Sequence, residues 1–139
     1  MQAGPFALDV IKDVMQGLRK SVATGRRAGV AKSQIILDPG IGFGKSFAQN
    51  YELLQKLPEL AKLGYPLLVG TSRKGFLGAT LARDGKTAPP EERIWGTAAT
   101  VTASILNGAH IVRVHDVAEM VQVALVADCL LDPKQRPKN

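Results

Sequence analysis

The sequence predicts an α/β fold built around a buried parallel sheet. Three short apolar runs, each bounded by turn-forming or polar residues, have the composition of strands covered on both faces. Each run follows a longer segment in which apolar residues recur with the period of a helix. The chain of 139 residues, 45% hydrophobic and 22% charged, has the size and balance of one globular domain. Alternating helices and strands of this kind favour parallel pairing with helical connections.

The first half of the chain predicts two helices around one strand. The first helix is predicted over residues 7–24, with Gly25 ending it, and the first strand over residues 35–37. A second helix is predicted over residues 50–63, where Pro58 interrupts the apolar stripe. Proline removes a backbone donor and clashes with the preceding turn, so we expect a kink or short break there.

The second half predicts two further strands, over residues 67–69 and 111–114, each followed by polar residues. Residues 90–107 form a helical pattern rich in small residues, with Gly108 as its stop. A last helix is expected to begin after Asp116, which makes a D-x-x-E capping pattern with Glu119, and to reach residue 131. Residues 78–90 are the longest irregular stretch. We therefore expect one folded unit over residues 1–131 and a basic, disordered tail over residues 132–139.

Composition limits the partners and the compartment. The net charge of +6 favours small anionic partners. The basic residues are not interleaved with aromatic ones, so no nucleic acid is expected. No apolar run reaches the roughly 18 residues of a membrane span, and the N-terminal residues lack a signal-peptide pattern, so no membrane contact is expected. The one cysteine, Cys129, has no disulfide partner in the chain, which suits a cytoplasmic protein.

The least ordinary residues follow the predicted strands, at the end where parallel α/β proteins bind ligands. The first strand leads into DPGIGFGK (residues 38–45), the second into GTSRKGF (residues 70–76), and the third into RVHDV (residues 113–117). Together these loops bring a carboxylate, two or three cations and a histidine to one rim. This convergence predicts a binding site for a small molecule.

The glycine-rich loop does not fit either common nucleotide-binding motif. A P-loop requires G-x-x-x-x-G-K-[ST], and Pro39 stands where the first glycine should be. The dinucleotide fingerprint G-x-G-x-x-G fails because Lys45 occupies the position of its last glycine. The loop therefore needs another explanation.

The first two loops offer a carboxylate and a pair of cations. Asp38 either holds the glycine turn or accepts paired hydrogen bonds from an N–C–N ring edge, as in an aminopterin. Arg73 and Lys74 are surface charges in most contexts. In an S-R-K-G loop at a strand end, where Gly75 permits close backbone approach, contact with an anion or a ring is the better interpretation.

The third loop offers an anion site. Arg113 and His115 alternate about Val114, so both face one side if the strand extends that far. An arginine forks onto phosphate oxygens and a histidine adds a donor, so we favour anion binding over a structural histidine. For Asp116 an N-cap is sufficient explanation. His110 lies at the opposite rim and is expected to be structural.

Three strings, ILDPGIGFGK, GTSRKGFLG and RVHDV, occur in this order on these elements, and together they resemble dihydropteroate synthases. The resemblance extends from residue 1 to about residue 131. It implies a TIM (β/α)8 barrel of typically about 250 residues, of which this chain is the C-terminal part, with strands 6–8 and helices 5–8. It also implies that Mg2+ is needed by the complete enzyme and is held by the missing N-terminal part. No metal ligand is therefore expected in this chain.

The resemblance implies condensation of (7,8-dihydropterin-6-yl)methyl diphosphate with 4-aminobenzoate, which gives 7,8-dihydropteroate and diphosphate in folate biosynthesis. Lys74, Arg113 and His115 would be catalytic. Phe43 and residues 73–75 would border the 4-aminobenzoate and sulfonamide pocket. At one of these positions many relatives carry serine, where this chain has Gly75. The substrate-binding residues it implies are Asp38, Phe43, Gly70, Arg73, Lys74, Gly75, Arg113 and His115.

Two other functions stay open. A methyltetrahydrofolate-dependent methyltransferase barrel shares the pterin site but has no diphosphate to hold, so Arg113 with His115 argues against it. The chain alone is expected to be inactive, so it could also be a non-catalytic folded fragment. The family implies a homodimer, for which residues 90–107 and 118–131 are the expected contact surface.

Overall fold

The computed structural model describes residues 6–135, which alternate between helices and short parallel strands. Three 3-10 turns, at Lys32–Gln34, Pro90–Arg93 and Pro133–Gln135, join these elements. The order of helix and strand confirms the predicted α/β class. In chain order the elements are α1 (Val10–Arg27), α2 (Phe47–Gln55), α3 (Leu57–Ala61), β1 (Leu68–Val69), α4 (Gly75–Thr80), α5 (Ile94–Leu106), β2 (Ile111–Val112) and α6 (Val117–Leu131).

The sheet is parallel and shorter than the sequence predicts. β1 and β2 pair with Leu68 opposite Ile111. On the other side of β1, Leu37 forms an isolated parallel bridge with Leu67. The predicted strand over residues 35–37 is therefore wrong in extent, because Ile35 closes the preceding 3-10 turn and only Leu37 reaches the sheet. The three chain segments still lie side by side in sequence order.

Two apolar clusters hold the helices against the sheet. The larger one joins α1, α2, α3 and α4 to β1 and the glycine-rich loop, and it includes the fully buried Leu53, Leu57, Leu60 and Leu67. The smaller one lies between α5 and α6 and is formed by Val101, Ile105, Met120 and Ala127. These clusters fix the helix positions and so the loops that follow the strands.

Helix ends follow local signals in part. Pro58 stands in the first turn of α3, and α2 ends just before it, which confirms the predicted break. Gly25, by contrast, does not end α1. The helix continues to Arg27, and the left-handed residue is Gly29, with φ +90°. A glycine inside a helix costs only about 1 kcal/mol, so the packed stripe of α1 overrides it.

One other expectation needs correction. Residues 78–90 are not all irregular, because Gly75–Thr80 form α4 with Phe76 and Leu77 in the core. The predicted tail begins with a 3-10 turn at Pro133–Gln135, and its disorder stays a prediction. The rest of the tail, residues 136–139, and the opening residues 1–5 lie outside the described residues. No helix within residues 6–135 is long and apolar enough to cross a membrane.

Candidate functional site

An open cleft of about 490 Å3 lies at the carboxyl ends of β1 and β2. It sits where the loops after the two strands meet, as the sequence predicts. Most of its lining residues carry a polar or charged side chain. The lining residues are Gly70, Ser72, Arg73, Lys74, Pro90, Arg113, Val114 and His115.

Asp38 joins this group from the segment that bridges to β1. Its Oδ1 accepts a hydrogen bond from the backbone N–H of Gly40 at 2.8 Å, so it does hold the glycine turn. Its Oδ2 lies 3.7 Å from Nη2 of Arg113, so it also faces the cleft. The first interpretation of Asp38, that it holds the glycine turn, is confirmed, and its contact with a ring edge stays a prediction.

Lys45 is used inside the glycine-rich loop. Its ammonium donates to the carbonyl oxygens of Gly40 and Phe43, each at 2.9 Å. Burial lowers the pKa of Lys45, although Asp13 and Asp38 oppose that shift. Both of these contacts direct the Lys45 ammonium to its own loop, which agrees with the failed P-loop motif.

Lys74 projects across the same loop. Its Nζ lies 3.8 Å from the centroid of the Phe43 ring, a cation–π contact. A Cβ at Gly42 would lie 2.9 Å from Cδ of Lys74, so a side chain at this position would displace the lysine stem. Partial burial lowers the pKa of Lys74, the nearby Arg113 lowers it further, and Asp38 opposes both. Two cations therefore repel each other across the cleft.

Arg113 lies over the backbone at the end of β1. A Cβ at Gly70 would come within 2.8 Å of its Nη2, so the absence of a side chain at Gly70 creates the space for the guanidinium. The backbone N–H of Arg113 donates to the carbonyl of Val69 at 2.9 Å, which extends the parallel pairing by one residue. Arg113 and His115 line one cleft even though β2 ends at Val112.

Ser72 holds His115, and the sequence analysis did not single it out. The Ser72 hydroxyl accepts a hydrogen bond from the His115 backbone N–H at 3.1 Å and lies 2.9 Å from Nδ1 of the ring. Ser72 is only 4% exposed. The sequence signal that could have identified Ser72 is its position between the end of β1 and the cationic pair Arg73 and Lys74.

Arg73 faces Asp116 in a paired ionic contact. Arg73 Nε donates to Oδ2 of Asp116 at 3.1 Å, and Nη2 donates to Oδ1. The hydrogen bond from Arg73 is the main cause that lowers the pKa of Asp116. The predicted capping interaction of Asp116 is wrong. Asp116 occupies the N-cap position of α6, but its carboxylate binds Arg73 instead of the helix backbone.

The net charge of the cleft follows from these contacts. Asp116 offsets Arg73, which leaves Asp38 as the carboxylate that faces Lys74 and Arg113 in the described part of the chain. A site with surplus positive charge and a planar fork favours an anion. His110 is structural as predicted, since its Nδ1 accepts from the Leu67 backbone N–H at 3.3 Å.

The described residues do not form a metal site. Within residues 6–135 no group of three or more His, Cys, Asp or Glu side chains could hold a metal ion. What this part of the chain presents to a ligand is the set of cations and hydrogen-bond donors at the cleft.

Parallel strands with helical connections, and a polar cleft at their carboxyl ends, define a ligand-binding α/β protein of the class that includes TIM barrels. The chain belongs to the pterin binding enzyme family, which matches residues 1–115. A dihydropteroate synthase of Synechocystis is 52% identical over 122 residues, which cover 88% of this chain and 41% of that relative.

Solved structures agree with the sequence comparison. A Yersinia pestis dihydropteroate synthase with a sulfonamide drug complex superimposes with a TM-score of 0.89 at 37% identity, covering 95% of this chain and 46% of that one. A dihydropteroate synthase of Clostridium difficile, solved in the presence of pteroic acid, gives 0.85 at 40% identity, covering 94% and 48%. The chain thus spans about half the length of its relatives.

Proposed function

We propose that this chain supplies the diphosphate-binding side, and one edge of the pterin site, of a dihydropteroate synthase. The reaction joins (7,8-dihydropterin-6-yl)methyl diphosphate to 4-aminobenzoate and releases diphosphate in folate biosynthesis. The observation that carries the proposal is the meeting of Asp38, Lys74, Arg113 and His115 at one cleft. Relatives with this name are 52% and 44% identical to the chain.

The reaction requires stabilisation of the diphosphate leaving group. As the C–O bond to diphosphate breaks, negative charge grows on the departing oxygens. Donors fixed in advance stabilise such charge most effectively, because they need not reorganise. His115, held by Ser72, is a donor of this kind, and Arg113 beside Gly70 adds a guanidinium fork that can bind the departing oxygens. We assign diphosphate binding to them.

Asp38 and Lys74 suit the pterin. A carboxylate accepts two parallel N–H donors from an aminopyrimidine edge, and each oxygen of Asp38 can accept beyond its present contact. Lys74 adds a cation beside the Phe43 ring, where it can donate to a ring carbonyl or nitrogen. Gly70, Arg73 and Gly75 stay predicted substrate contacts, and the guanidinium of Arg73 is already engaged with Asp116.

Partners outside the described cleft belong to the same proposal. We propose that a Mg2+ ion accompanying the diphosphate is held by residues outside this chain, that the complete enzyme is a cytoplasmic homodimer, and that it binds no nucleic acid. The methyltransferase alternative has no diphosphate substrate, so it does not explain why two cations, Arg113 and Lys74, lie close enough to repel each other.

The test is a steady-state assay of the complete enzyme with both substrates. Replacing Arg113 with alanine should cost about 2–4 kcal/mol of transition-state stabilisation, because a donor to the leaving group is lost. Arg83, which is exposed on the loop after α4 and absent from the cleft lining, gives the matched control Arg83→Ala. Equal kinetics in the two variants would refute the assignment, and a wild-type enzyme that fails to release diphosphate would refute the function.

A further inference from the structure

The hydrogen bond between Ser72 and His115 bears on which ring nitrogen of His115 carries the proton. The Ser72 oxygen already accepts the backbone N–H of His115 at 3.1 Å. Its own hydrogen still needs an acceptor, because Ser72 is 4% exposed and reaches little water. Within residues 6–135, the contact that could take this hydrogen is the one to the ring nitrogen Nδ1 of His115, 2.9 Å away, in which the tautomer of the ring decides which atom donates.

We propose that Ser72 is a positioning residue that holds His115 in the tautomer with its proton on Nε2. If the hydroxyl donates to Nδ1, the neutral ring must carry its hydrogen on the other nitrogen. The opposite arrangement, with Nδ1–H donating to Ser72, would leave the serine hydrogen unpaired. Nε2 lies on the ring edge away from Ser72, so its N–H is the donor available to the cleft.

This assignment rests on the proposed function, since the donor is meant for the diphosphate. Ser72 lies on the loop after β1 and His115 on the loop after β2. One hydroxyl therefore sets the tautomer and the orientation of the ring before substrate arrives. Ser72 itself need not touch the substrate, and its effect on diphosphate passes through His115.

The first experiment measures the tautomer in the complete protein without substrate. Long-range 1H–15N correlation spectra, assigned by comparison with His115→Gln, should show a protonated Nε2 and a hydrogen-bonded, unprotonated Nδ1. In Ser72→Ala the Nδ1 resonance should move towards that of a ring nitrogen without a hydrogen bond. A wild-type ring protonated on Nδ1 alone would overturn the proposal, whatever the enzyme assay gives.

The second experiment measures binding of inorganic diphosphate by calorimetry. Ser72→Ala should weaken it about five- to tenfold, because the donor is no longer oriented. Ser72→Thr retains the hydroxyl and should restore the affinity and the spectrum. Ser104→Ala is the matched control, since Ser104 is also buried and its hydroxyl bonds only within α5.

Turnover separates this role from a general loss of structure. Ser72→Ala should raise the Michaelis constant for the pterin diphosphate and leave the Michaelis constant for the aminobenzoate substrate unchanged. An equal rise in both constants, or unchanged diphosphate affinity in Ser72→Ala, would contradict the proposal. If Ser72→Ala does not fold, the wild-type tautomer and the Ser72→Thr variant still decide it.

Discussion

Two glycines of α4 have opposite surroundings. A Cβ at Gly75 would meet no heavy atom within 4 Å, whereas a Cβ at Gly78 would lie 2.5 Å from Nε of Arg93. Arg93 cannot easily withdraw, because it donates to the carbonyls of Ala88 at 2.8 Å and Arg73 at 2.7 Å. The same substitution should therefore act differently at the two positions.

We expect Gly75→Ser to keep or raise stability, by up to about 1 kcal/mol, because serine loses less conformational entropy than glycine on folding. Gly78→Ser should destabilise the protein by about 1–3 kcal/mol through overpacking. Urea unfolding of the complete protein measures both. Equal midpoints for the two variants would show that Arg93 is free to move.

At the scale of elements, one ion pair joins two loops. Arg73 precedes α4 and has φ +57°, a left-handed conformation that is uncommon outside glycine. Its guanidinium binds Asp116 at the start of α6. The contact fixes the loop that carries Lys74 relative to the loop that carries His115, so it supports the geometry of the cleft.

This pair predicts a specific acid sensitivity. Because Arg73 lowers the pKa of Asp116 in the folded state, the stabilisation is present above the ordinary aspartate pKa of about 3.9 and is lost as pH falls through the folded value. Asp116→Asn should remove that part of the acid dependence. Unfolding midpoints measured at neutral pH and at about pH 3 test it, with the exposed Glu52→Gln as the control. An Asp116→Asn variant that is as acid-sensitive as the wild type would contradict this prediction.

At the scale of the whole molecule, a large apolar surface is exposed. Val117 and Val121 of α6 are 59% and 52% exposed, and they line an open groove with Ile111 of β2. Elsewhere Trp95 is 80% exposed. Contiguous apolar patches of this kind usually mark surfaces that are covered by protein. The sheet also keeps open edges, which invite pairing with another chain.

Residues 1–139 expressed alone should therefore self-associate. They should also form no dihydropteroate, because the proposed function places the residues that hold Mg2+ outside this chain. Sedimentation velocity and an activity assay, with the intact mass confirmed, measure both. Val121→Lys should increase the monomer fraction, because a charge in the groove opposes association. Gln122→Lys adds the same charge at an exposed polar position and should not. A monodisperse monomer, or turnover by this chain alone, would contradict the expectation.

Local signals account for what the sequence predicted correctly. The helical period of the apolar residues, Pro58 and Gly108 each act within a few residues, so they locate helices and their ends without knowledge of the fold. The strand ends were predictable for a related reason, since the carboxyl ends of parallel strands meet at one edge. That rule brought Asp38, Lys74 and Arg113 to one place.

The sequence alone determined the α/β class, the order of the three strand segments, the family resemblance and the loops of the cleft, but not helix α4. Only the tertiary structure decided that Ser72 holds His115 and that Asp116 binds Arg73 and does not cap α6. In each of these contacts the partners are 43 residues apart. The residues next to each partner in the sequence do not predict such a contact, because its energy depends on the distance and direction between two loops. The packing of α5 and α6 against the sheet sets that distance and that direction.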